Sequence, residues 1–309
     1  MISVITVTHN NYDDLRKTLK SLEKVDGIER VVVNGGTCKK TKKLFKDFKG
    51  TYISEPDQGI SDAFNKGVNA SKGDKIMFLN SGDLLLSPKY LKDSEKFLNS
   101  NSQFSFIHSD SLFEDRISGT IYMEPVRSTF FKKAPLGRGM PYNHLTMIIK
   151  KNVFKKIGLF KLHYKITMDF EWVCRLQKNN ILGYYLGGDP VVLMDGGGIS
   201  STTEQLVMWE SLMALKENHL LSPKNLIGIA ERSTLYLGRI LMESVGMTDT
   251  LGWLKRKKHN SNWRESHTIQ SKENFCEDKL KKVQKNSFLN LTAESSHKQK
   301  IIGLNGLLI

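Results

Sequence analysis

The chain has 309 residues, of which 39% are hydrophobic and 9% aromatic, so it can bury a large core and is not a disordered polymer. Its three cysteines, Cys38, Cys174 and Cys276, stand far apart without a C-x-x-C pair, which gives no sign of a zinc finger or a disulfide framework and suits a reducing compartment. The formal net charge of +14 favours anionic partners such as phosphates or anionic lipid head groups.

Apolar β-rich segments and amphipathic segments alternate through the first hundred residues. The predicted strands lie in "SVITVT", "RVVVNGG", "TYISEPD" and "DKIMFLN". The predicted helices follow them in "YDDLRKTLKSLEKV", "TKKLFKDF", "GISDAFNKGVNAS" and "SPKYLKDSEKFLNS". Strands separated by crossover helices pair in parallel with right-handed connections. The predicted fold class is therefore α/β, with a doubly wound, mostly parallel sheet flanked by helices.

From about residue 104 the pattern changes. "FSFIHSDSLFE" and "GTIYMEPV" are predicted strands with no helix between them, so we expect the sheet to become mixed. "KKNVFKKIGLF" and "DFEWVCRLQKN" are predicted helices, and "GYYLGGDPVVLMDGG" returns to strand. We expect a main domain over residues 1–202, a helical extension over 203–250 and a basic, loosely folded tail over 251–309.

The end of the chain raises a question about membranes. Residues 251–309 contain 12 Lys and Arg against 5 Asp and Glu, a surplus of +7. No run reaches the roughly 18 apolar residues of a membrane span, and the start "MISVITVTHNN" is too quickly polar for a signal peptide. We therefore expect a cytoplasmic protein, with peripheral attachment to the inner face of the cell membrane as an open alternative. The amphipathic segment 225–245, followed by "KRKKH", either docks on an anionic membrane or packs on the main domain.

Polar side chains follow each of the first four predicted strands, where an open parallel sheet binds its ligands. The stretches are "THNN", "NGGT", "EPD" and "NSGD". Each alone is equally consistent with an ordinary turn, but four on one rim predict a binding site. The chain lacks both G-x-G-x-x-G after its first strand and a P-loop, which disfavours nicotinamide and P-loop enzymes. A nucleotide site that uses a carboxylate such as Asp83 and a divalent cation remains open.

A succession of motifs over roughly residues 1–200 is more specific. "SVITVTHNN", "VVVNGG", "SEPDQGISDAFNKGVNASKGDKIMFLNSGD", "HLTMIIKK", "YKITMDFEWVCRL" and "GGGIS" occur in this order. Together they resemble the family 2 glycosyltransferases with the GT-A fold, of the bacterial surface-polysaccharide type. The resemblance implies an inverting hexosyltransferase that moves a sugar from a nucleotide-diphosphate donor, usually a UDP-sugar, to a hydroxyl of a glycan or lipid-linked acceptor, as in O-antigen and other cell-envelope polysaccharides. A nucleic-acid partner is suggested only by charge and is not expected.

The resemblance also assigns roles to particular residues. It implies that Asp83 binds the divalent metal, Mn²⁺ or Mg²⁺, that Asp169 is the general base, and that His144 lies on the acceptor side of the cleft. Contacts to the nucleotide-sugar are implied for the positions that match the family's cleft segments, which are Thr6, Thr8, Asn10, Asn34, Asp57, Asp62, Asn65 and Asn80.

Two departures from the family pattern stand out. The family commonly reads D-G-x-S-x-D-x-T after the second strand, where this chain has "NGGTCKKT", so that two acids are gone and two lysines have arrived. An Asn34 carbonyl can still accept a hydrogen bond from a uracil N–H. The metal turn has Asn80 where a stricter D-x-D has Asp, which predicts weak metal affinity in the absence of nucleotide.

Other interpretations remain open. A nucleotidyltransferase also uses metal-bound carboxylates, but it usually shows a Gly-rich basic loop after its first strand, which "VTHNNYDD" lacks. A non-catalytic sugar-nucleotide or membrane-binding protein on the same scaffold is the other alternative. Asp169 also fits an acid that favours a helix dipole, and His144 fits a structural histidine. Glu171 and Arg175 have the i, i+4 spacing of a surface ion pair, which we favour over a catalytic Glu171.

Overall fold

The structure, a computed structural model, describes residues 1–45, 48–115, 120–124, 136–198, 203–247 and 250, together with the backbone of 264–265 and 301–302. Its strands, in chain order, are β1 (Ile2–Thr8), β2 (Ile28–Asn34), β3 (Thr51–Ser54), β4 (Lys75–Phe78), β5 (Leu84–Leu85), β6 (Phe106–His108), β7 (Ser111–Asp115), β8 (Thr120–Glu124), β9 (Ile148–Lys150), β10 (Gly183–Tyr185), β11 (Val192–Asp195), β12 (Arg264–Glu265) and β13 (Ile301–Ile302). Its α-helices are α1 (Tyr12–Leu22), α2 (Lys39–Leu44), α3 (Ile60–Ala70), α4 (Pro88–Ser100), α5 (Asn152–Ile157), α6 (Met168–Lys178), α7 (Glu204–Glu217) and α8 (Pro223–Ser244).

The main sheet has the strand order β13-β10-β6-β9-β4-β1-β2-β3. Strands β1 to β4 pair in parallel, whereas β9 runs antiparallel to both β4 and β6, which confirms the predicted mixed sheet. A smaller sheet has the order β12-β8-β7-β11-β5. In the main sheet Thr8 pairs with Asn34 and Ile5 with Phe78, so the carboxyl ends of β1, β2 and β4 reach the same rim.

Both faces of the main sheet are covered, and for this reason every residue of β1 is buried. Ile5 and Val7 point into a core shared with α3 and α6. Ile2 and Val4 point into a second core on the other face, shared with α1 and α4. This placement of helices on both faces is the predicted doubly wound arrangement, and it leaves the rim of strand ends open for a ligand.

The two helices of the C-terminal extension differ in how they pack. Ala214 and Leu215 of α7 are fully buried and belong to the core that contains α3 and α6. Helix α8 turns Asn225 and Gly228 inward, while large apolar side chains on its outer side are exposed to solvent, among them Leu226, Ile227, Leu237 and Leu241. The extension is thus attached through α7 and also through the inner side of α8, where the N–H of Gly137 donates to Asn225 Oδ1 at 3.3 Å and Arg138 donates to Glu231 at 2.7 Å. The outer side of α8 presents an apolar surface. Apart from the backbone of β12 and β13, the predicted basic tail lies outside the described residues.

Candidate active site

The "NSGD" turn after β4 folds its carboxylate back into the protein. Asp83 Oδ2 accepts a hydrogen bond from the backbone N–H of Asn80 at 3.1 Å. Asp83 Oδ1 accepts from the backbone N–H of Asp195, at the end of β11, at 2.9 Å. Asp83 is only 4% exposed, and this burial raises its pKa to about 7. A buried carboxylate of this kind is costly to ionise, and a cation beside it would stabilise its charged form.

Asp195 is a second acid at this position, and sequence reasoning missed it. Gly82 has φ +109°, and a Cβ on it would lie 2.5 Å from Asp195 Oδ2, so the turn passes directly against this carboxylate. Its other oxygen, Oδ1, accepts from the backbone N–H of Gly197 at 3.1 Å. The charge of Asp195 contributes to the raised pKa of Asp83, whereas His144 acts in the opposite direction. A signal for it was available in the sequence, because Asp195 is an acid at the end of a predicted strand. Polar residues after the first four strands had been identified in the same way.

Asp169 and His144 complete the cluster. Asp169 is the second residue of α6, and its Oδ2 lies 3.1 Å from His144 Nδ1. Asp169 Oδ1 accepts from the backbone N–H of Phe170 at 2.8 Å. Both side chains are 22% exposed, so they form part of an accessible surface. Because His144 contacts Asp169 and also acts electrostatically on Asp83, the structure brings these three predicted residues into one site.

A small apolar pocket adjoins the pair formed by Asp169 and His144. These two polar side chains share its walls with apolar residues from the main core, namely Phe64, Phe78, Met140, Met147, Ile149, Phe160, Trp172 and Val173. The Asp169 carboxylate therefore borders an apolar surface, where His144 and the N–H of Phe170 contact its two oxygens.

Three polar atoms at the rim have no hydrogen-bond partner in the described part of the chain. They are the hydroxyls of Thr6 and Thr8 in β1 and the Oδ1 atom of Asn80 after β4. All three are buried, and a buried polar atom without a partner costs free energy unless a ligand or water supplies one. These are positions at which the resemblance implies contacts to the nucleotide-sugar.

The side chains of Asn10 and Asn34 stabilise the loop after β2 through hydrogen bonds to its backbone. Asn10, with φ 54°, accepts hydrogen bonds at Oδ1 from the N–H groups of Thr37 and Cys38, each at 2.9 Å. The Oδ1 atom of Asn34 accepts from the N–H of Gly36 at 3.1 Å, while its Nδ2 donates to Gly36 O at 3.1 Å. Asn34 is fully buried. The carbonyl predicted to meet a nucleotide base is therefore already engaged within its own loop.

The remaining predicted residues lie along the start of α3. Asp57 Oδ1 accepts from the N–H of Gly59 at 3.0 Å, and Asp62 Oδ2 lies 3.2 Å from the Lys66 ammonium. Asn65 donates to the carbonyl of Phe160 at 2.8 Å and accepts from the N–H of Phe160 at 2.9 Å. Both ends of the Asn65 amide are thus used to join α3 to residue 160. These contacts give no support to its predicted role in the cleft.

The pair formed by Glu171 and Arg175 is present, but it is not on the surface. Glu171 is 0% exposed, and its carboxylate accepts from Arg175 Nε at 3.0 and 3.1 Å. Lys161 Nζ lies 3.0 Å from the same carboxylate. The expectation of a surface pair was wrong because packing of α7 against α6 covers this side of the helix, with Asn218 donating to Glu171 at 3.2 Å.

The residues at the rim fit a hard divalent cation that is shared with a ligand. Within the described ranges, no group of three or more His, Cys, Asp or Glu has the geometry of a complete metal site. Mg²⁺ and Mn²⁺ take oxygen ligands and often use only one or two protein carboxylates together with the phosphates of a substrate. The buried Asp83 carboxylate, the adjacent Asp195 and the unpartnered Asn80 Oδ1 are oxygen donors of this kind.

The sequence profile described as "Glycosyl transferase family 2" matches residues 3–158. An uncharacterised glycosyltransferase of Mycobacterium tuberculosis is 28% identical over 182 residues, which cover 56% of this chain and 68% of that protein. A PGL/p-HBAD biosynthesis glycosyltransferase of Mycobacterium bovis is 23% identical over 269 residues, which cover 83% of this chain and 98% of that protein.

Two solved structures are similar in fold. The S. aureus TarS 1-349 structure in complex with UDP-GlcNAc gives a TM-score of 0.54 at 18% identity, covering 74% of this chain and 70% of that one. In another S. aureus TarS structure the matching region is 39% of that chain. The mannosyltransferase PcManGT from Pyrobaculum calidifontis, in complex with GDP-Man and Mn2+, gives a TM-score of 0.51 at 14% identity, covering 78% of this chain and 80% of that one.

Proposed function

Because the chain belongs to glycosyl transferase family 2 and is a glycosyltransferase with the GT-A fold, we propose that it is an inverting enzyme that transfers a hexose from a UDP-sugar to a hydroxyl of a glycan or lipid-linked acceptor. The observation that carries the proposal is the convergence of Asp83, His144 and Asp169 at the rim of strand ends. The TarS complex with UDP-GlcNAc supports a UDP-linked donor, and the relative named for PGL/p-HBAD biosynthesis supports a biosynthetic role.

In the proposed reaction Asp169 acts as the general base. An acceptor hydroxyl has a pKa far above 7, so it needs a proton acceptor as its oxygen attacks the anomeric carbon. The carboxylate of Asp169 takes this proton while the bond between the sugar and the diphosphate breaks, and the electron pair leaves with the nucleoside diphosphate. Attack from the face opposite the leaving group inverts the anomeric centre. The contact at 3.1 Å between His144 Nδ1 and Asp169 Oδ2 orients the base.

The donor's diphosphate would lie beside Asp83. Asp83, with Asp195 and Asn80 next to it, would hold a divalent cation, Mn²⁺ or Mg²⁺, against the phosphate oxygens. When bound, the cation would neutralise the negative charge that develops on the leaving diphosphate. The structure of PcManGT with GDP-Man and Mn2+ supports a metal of this type. The unpartnered hydroxyls of Thr6 and Thr8 are available to the nucleotide at the neighbouring strand end.

A screen of nucleotide-sugars tests the proposal. Purified protein is incubated with UDP-, GDP- and dTDP-linked sugars, with Mn²⁺ or with chelator, and release of the nucleoside diphosphate is followed. We expect slow hydrolysis or transfer from a UDP-sugar with Mn²⁺ and none with chelator. Asp169→Asn should abolish turnover while UDP binding persists, and Asp83→Asn should weaken binding of UDP with Mn²⁺.

Two alternatives have distinct outcomes in the same assay. A non-catalytic binding protein would bind a UDP-sugar, but it would release no nucleoside diphosphate with any acceptor. A nucleotidyltransferase would release pyrophosphate from a nucleoside triphosphate and a sugar phosphate. Either result would overturn the proposed transfer reaction.

The outer side of α8 supports peripheral attachment to an anionic membrane surface, where a lipid-linked acceptor would lie. Leu226, Leu237 and Leu241 are exposed, and no helix in the described residues is both long and apolar enough to cross a bilayer. A second copy of a chain with net charge +14 would be repelled electrostatically, whereas an anionic bilayer would attract it. The attachment would place the protein at the inner face of the cell membrane.

Sedimentation with liposomes tests this attachment. Wild-type protein should sediment with anionic vesicles at low salt and less with zwitterionic ones. The triple variant Leu226→Ser, Leu237→Ser and Leu241→Ser should stay in the supernatant. Leu162→Ser, a change at another exposed leucine of the chain, is the matched control and should bind like wild type. Equal sedimentation of the triple variant would exclude α8 as the docking surface.

A further inference from the structure

A buried carboxylate on the C-terminal extension is directed at the segment that precedes the proposed base. Glu210 lies in α7 and is only 4% exposed. Its Oε1 accepts a hydrogen bond from the N–H of Lys165 at 2.8 Å. Its Oε2 accepts from the N–H of Ile166 at 3.1 Å and from the N–H of Thr167 at 2.8 Å. The Thr167 hydroxyl donates to the same oxygen at 3.0 Å.

The donors to Glu210 lie directly before the helix that carries Asp169. Lys165, Ile166 and Thr167 are the last residues before α6, and Asp169 is the second residue of that helix. Three consecutive N–H groups that converge on one carboxylate fix the peptide planes of the segment. Hydrogen bonds to an ionised acceptor are shorter and stronger than neutral ones. The direction in which α6 begins, and with it the direction of the Asp169 side chain, therefore depends on Glu210.

We propose that Glu210 is a positioning residue for Asp169, so that the C-terminal extension is a working part of the catalytic unit. The inference rests on the proposed function for the role of Asp169 as base. Glu210 acts through the backbone of residues 165–167. These contacts hold Asp169 in the place where its Oδ2 meets His144 Nδ1 at 3.1 Å. A displacement of about 1 Å at a reacting group can cost about a hundredfold in rate, so this support matters to turnover.

The same helix offers a matched control. Glu217 lies at the end of α7 and also reaches the segment before α6, but it contacts the side chains of Lys161 at 2.8 Å and His163 at 3.3 Å. It therefore shares with Glu210 the helix, the charge and the neighbouring segment. Its carboxylate accepts no hydrogen bond from the backbone N–H groups of residues 165–167 in the described structure. A general effect of loosening α7 should appear in both variants, whereas an effect on Asp169 should appear only with Glu210.

The kinetic test compares Glu210→Gln, Glu210→Ala and Glu217→Gln with wild type. We expect Glu210→Ala to lower kcat by about ten- to a hundredfold, while the Kd for UDP, which does not depend on Asp169, stays within about twofold. Glu210→Gln keeps one acceptor oxygen and should fall between wild type and Glu210→Ala. Glu217→Gln should keep the wild-type kcat. A wild-type kcat in folded Glu210→Ala, or a parallel loss of kcat and UDP binding, would overturn the proposal.

A milder variant covers the case in which Glu210→Ala does not fold. Thr167→Val removes one of the four donors and leaves the side-chain volume nearly unchanged. It should lower kcat by a few fold, and the double variant with Glu210→Gln should lose less than the product of the two single losses, because both act on one contact. Multiplicative losses would show that the two residues act separately and would contradict the proposal.

A spectroscopic readout separates this inference from the proposed function. The ¹⁵N resonances of the His144 ring, assigned with a His144→Gln variant, report the contact with Asp169 without any substrate. We expect Glu210→Gln to move them and Glu217→Gln to leave them in place. If the wild type transfers no sugar, the proposed function fails while this measurement still tests the positioning. Unchanged His144 resonances in Glu210→Gln would refute the positioning role.

Discussion

The backbone N–H of Asp195 donates to Asp83 Oδ1 over 2.9 Å and joins the turn after β4 to the end of β11. This bond lies next to the antiparallel pairing of β5 with β11 and brings the two acids together. The hydrogen bond stabilises the ionised form of Asp83, whereas burial destabilises it. The charge of Asp83 should therefore respond both to pH and to a bound cation.

The first prediction concerns Asp83 and the pH dependence of stability without metal. Its pKa is raised from 3.8 to about 7, so between these values the folded protein keeps a proton that the unfolded chain releases. The free energy of unfolding should therefore fall as pH rises from about 4 to 7, by about 4 kcal/mol from this group, and change no further above 7.

Urea unfolding of wild type and Asp83→Asn at pH 5 and pH 8 in chelator measures this effect. The variant cannot ionise at this position, so it should gain stability relative to wild type on going from pH 5 to pH 8. Adding Mn²⁺ and UDP should stabilise wild type more at pH 8 than at pH 5, because the cation competes with the proton. Parallel pH profiles in the two proteins would contradict the prediction.

The second prediction concerns Asp195, the acid that sequence reasoning missed. Asp195→Asn removes a negative charge beside Asp83 and keeps the backbone N–H that donates a hydrogen bond to Asp83. We expect Mn²⁺ affinity in the presence of UDP to fall by about tenfold, the order of magnitude found when groups around metal ligands are changed. Calorimetric titration measures it, with Asp189→Asn, an exposed acid on the loop before β11, as the control. Equal losses in both variants would point to long-range charge alone.

The third prediction concerns His108, which is fully buried among the rings of Phe106, Tyr142 and Tyr185. Burial lowers its pKa from 6.5 to about 3. As pH falls below about 6.5, His108 is protonated in the unfolded chain but stays neutral in the folded protein. The free energy of unfolding therefore decreases progressively down to about pH 3. This group alone accounts for about 5 kcal/mol over that range.

His108→Phe should remove this loss, because a phenyl ring fits the aromatic cluster and does not titrate. The comparison is made by urea unfolding at pH 7.5 and pH 4.5, in the Asp83→Asn background, since Asp83 changes stability in the opposite direction over part of this range. We expect the variant to be relatively more stable at pH 4.5 than at pH 7.5. An undiminished acid loss would show that His108 is protonated in the folded state.

The fourth prediction concerns the buried ion pair of Glu171 and Arg175. Glu171→Gln leaves the Arg175 guanidinium without its counter-charge, while the Lys161 ammonium keeps Glu217 as its partner. We expect the free energy of unfolding to fall by about 3 kcal/mol, as when one partner of a buried pair is removed. Turnover per folded molecule should stay at the wild-type level, since Glu171 faces α7 and not the cleft. Loss of turnover without loss of stability would instead make Glu171 catalytic.

Much of the fold could be predicted from the sequence because local patterns repeat throughout the chain. The alternation of apolar strands with helices such as α1 and α3 predicted the doubly wound sheet, and the change after residue 104 predicted a mixed sheet, which is confirmed. The strand β9, which runs antiparallel to β4 and β6, was not itself predicted. The family and the class of enzyme are likewise confirmed by the comparisons. The individual site roles stay predictions, although Asp83, His144 and Asp169 do lie together.

Where prediction was incomplete, the missing information was in several cases a contact between distant segments. Nothing in "EWVCR" says that Glu171 is buried, because the cover is supplied by Asn218 of the extension. The two ends of the Asn65 amide are taken up by Phe160, which only the packing of α3 reveals. The apolar side of α8 was predicted, but its exposure to solvent depended on which side of the helix packs on residues 136–138.

The sequence by itself determined most of the strands and helices, the family and the polar residues at the first four strand ends, because these follow from local periodicity and short motifs. The tertiary structure decided which carboxylates are buried, which form ion pairs and which lie next to one another. Burial in the folded protein raises the pKa of Asp83, with a smaller contribution from the charge of Asp195, and Glu210 reaches the segment before Asp169 only because α7 packs there. Desolvation and hydrogen bonding depend on neighbours in space, and no short stretch of residues specifies those.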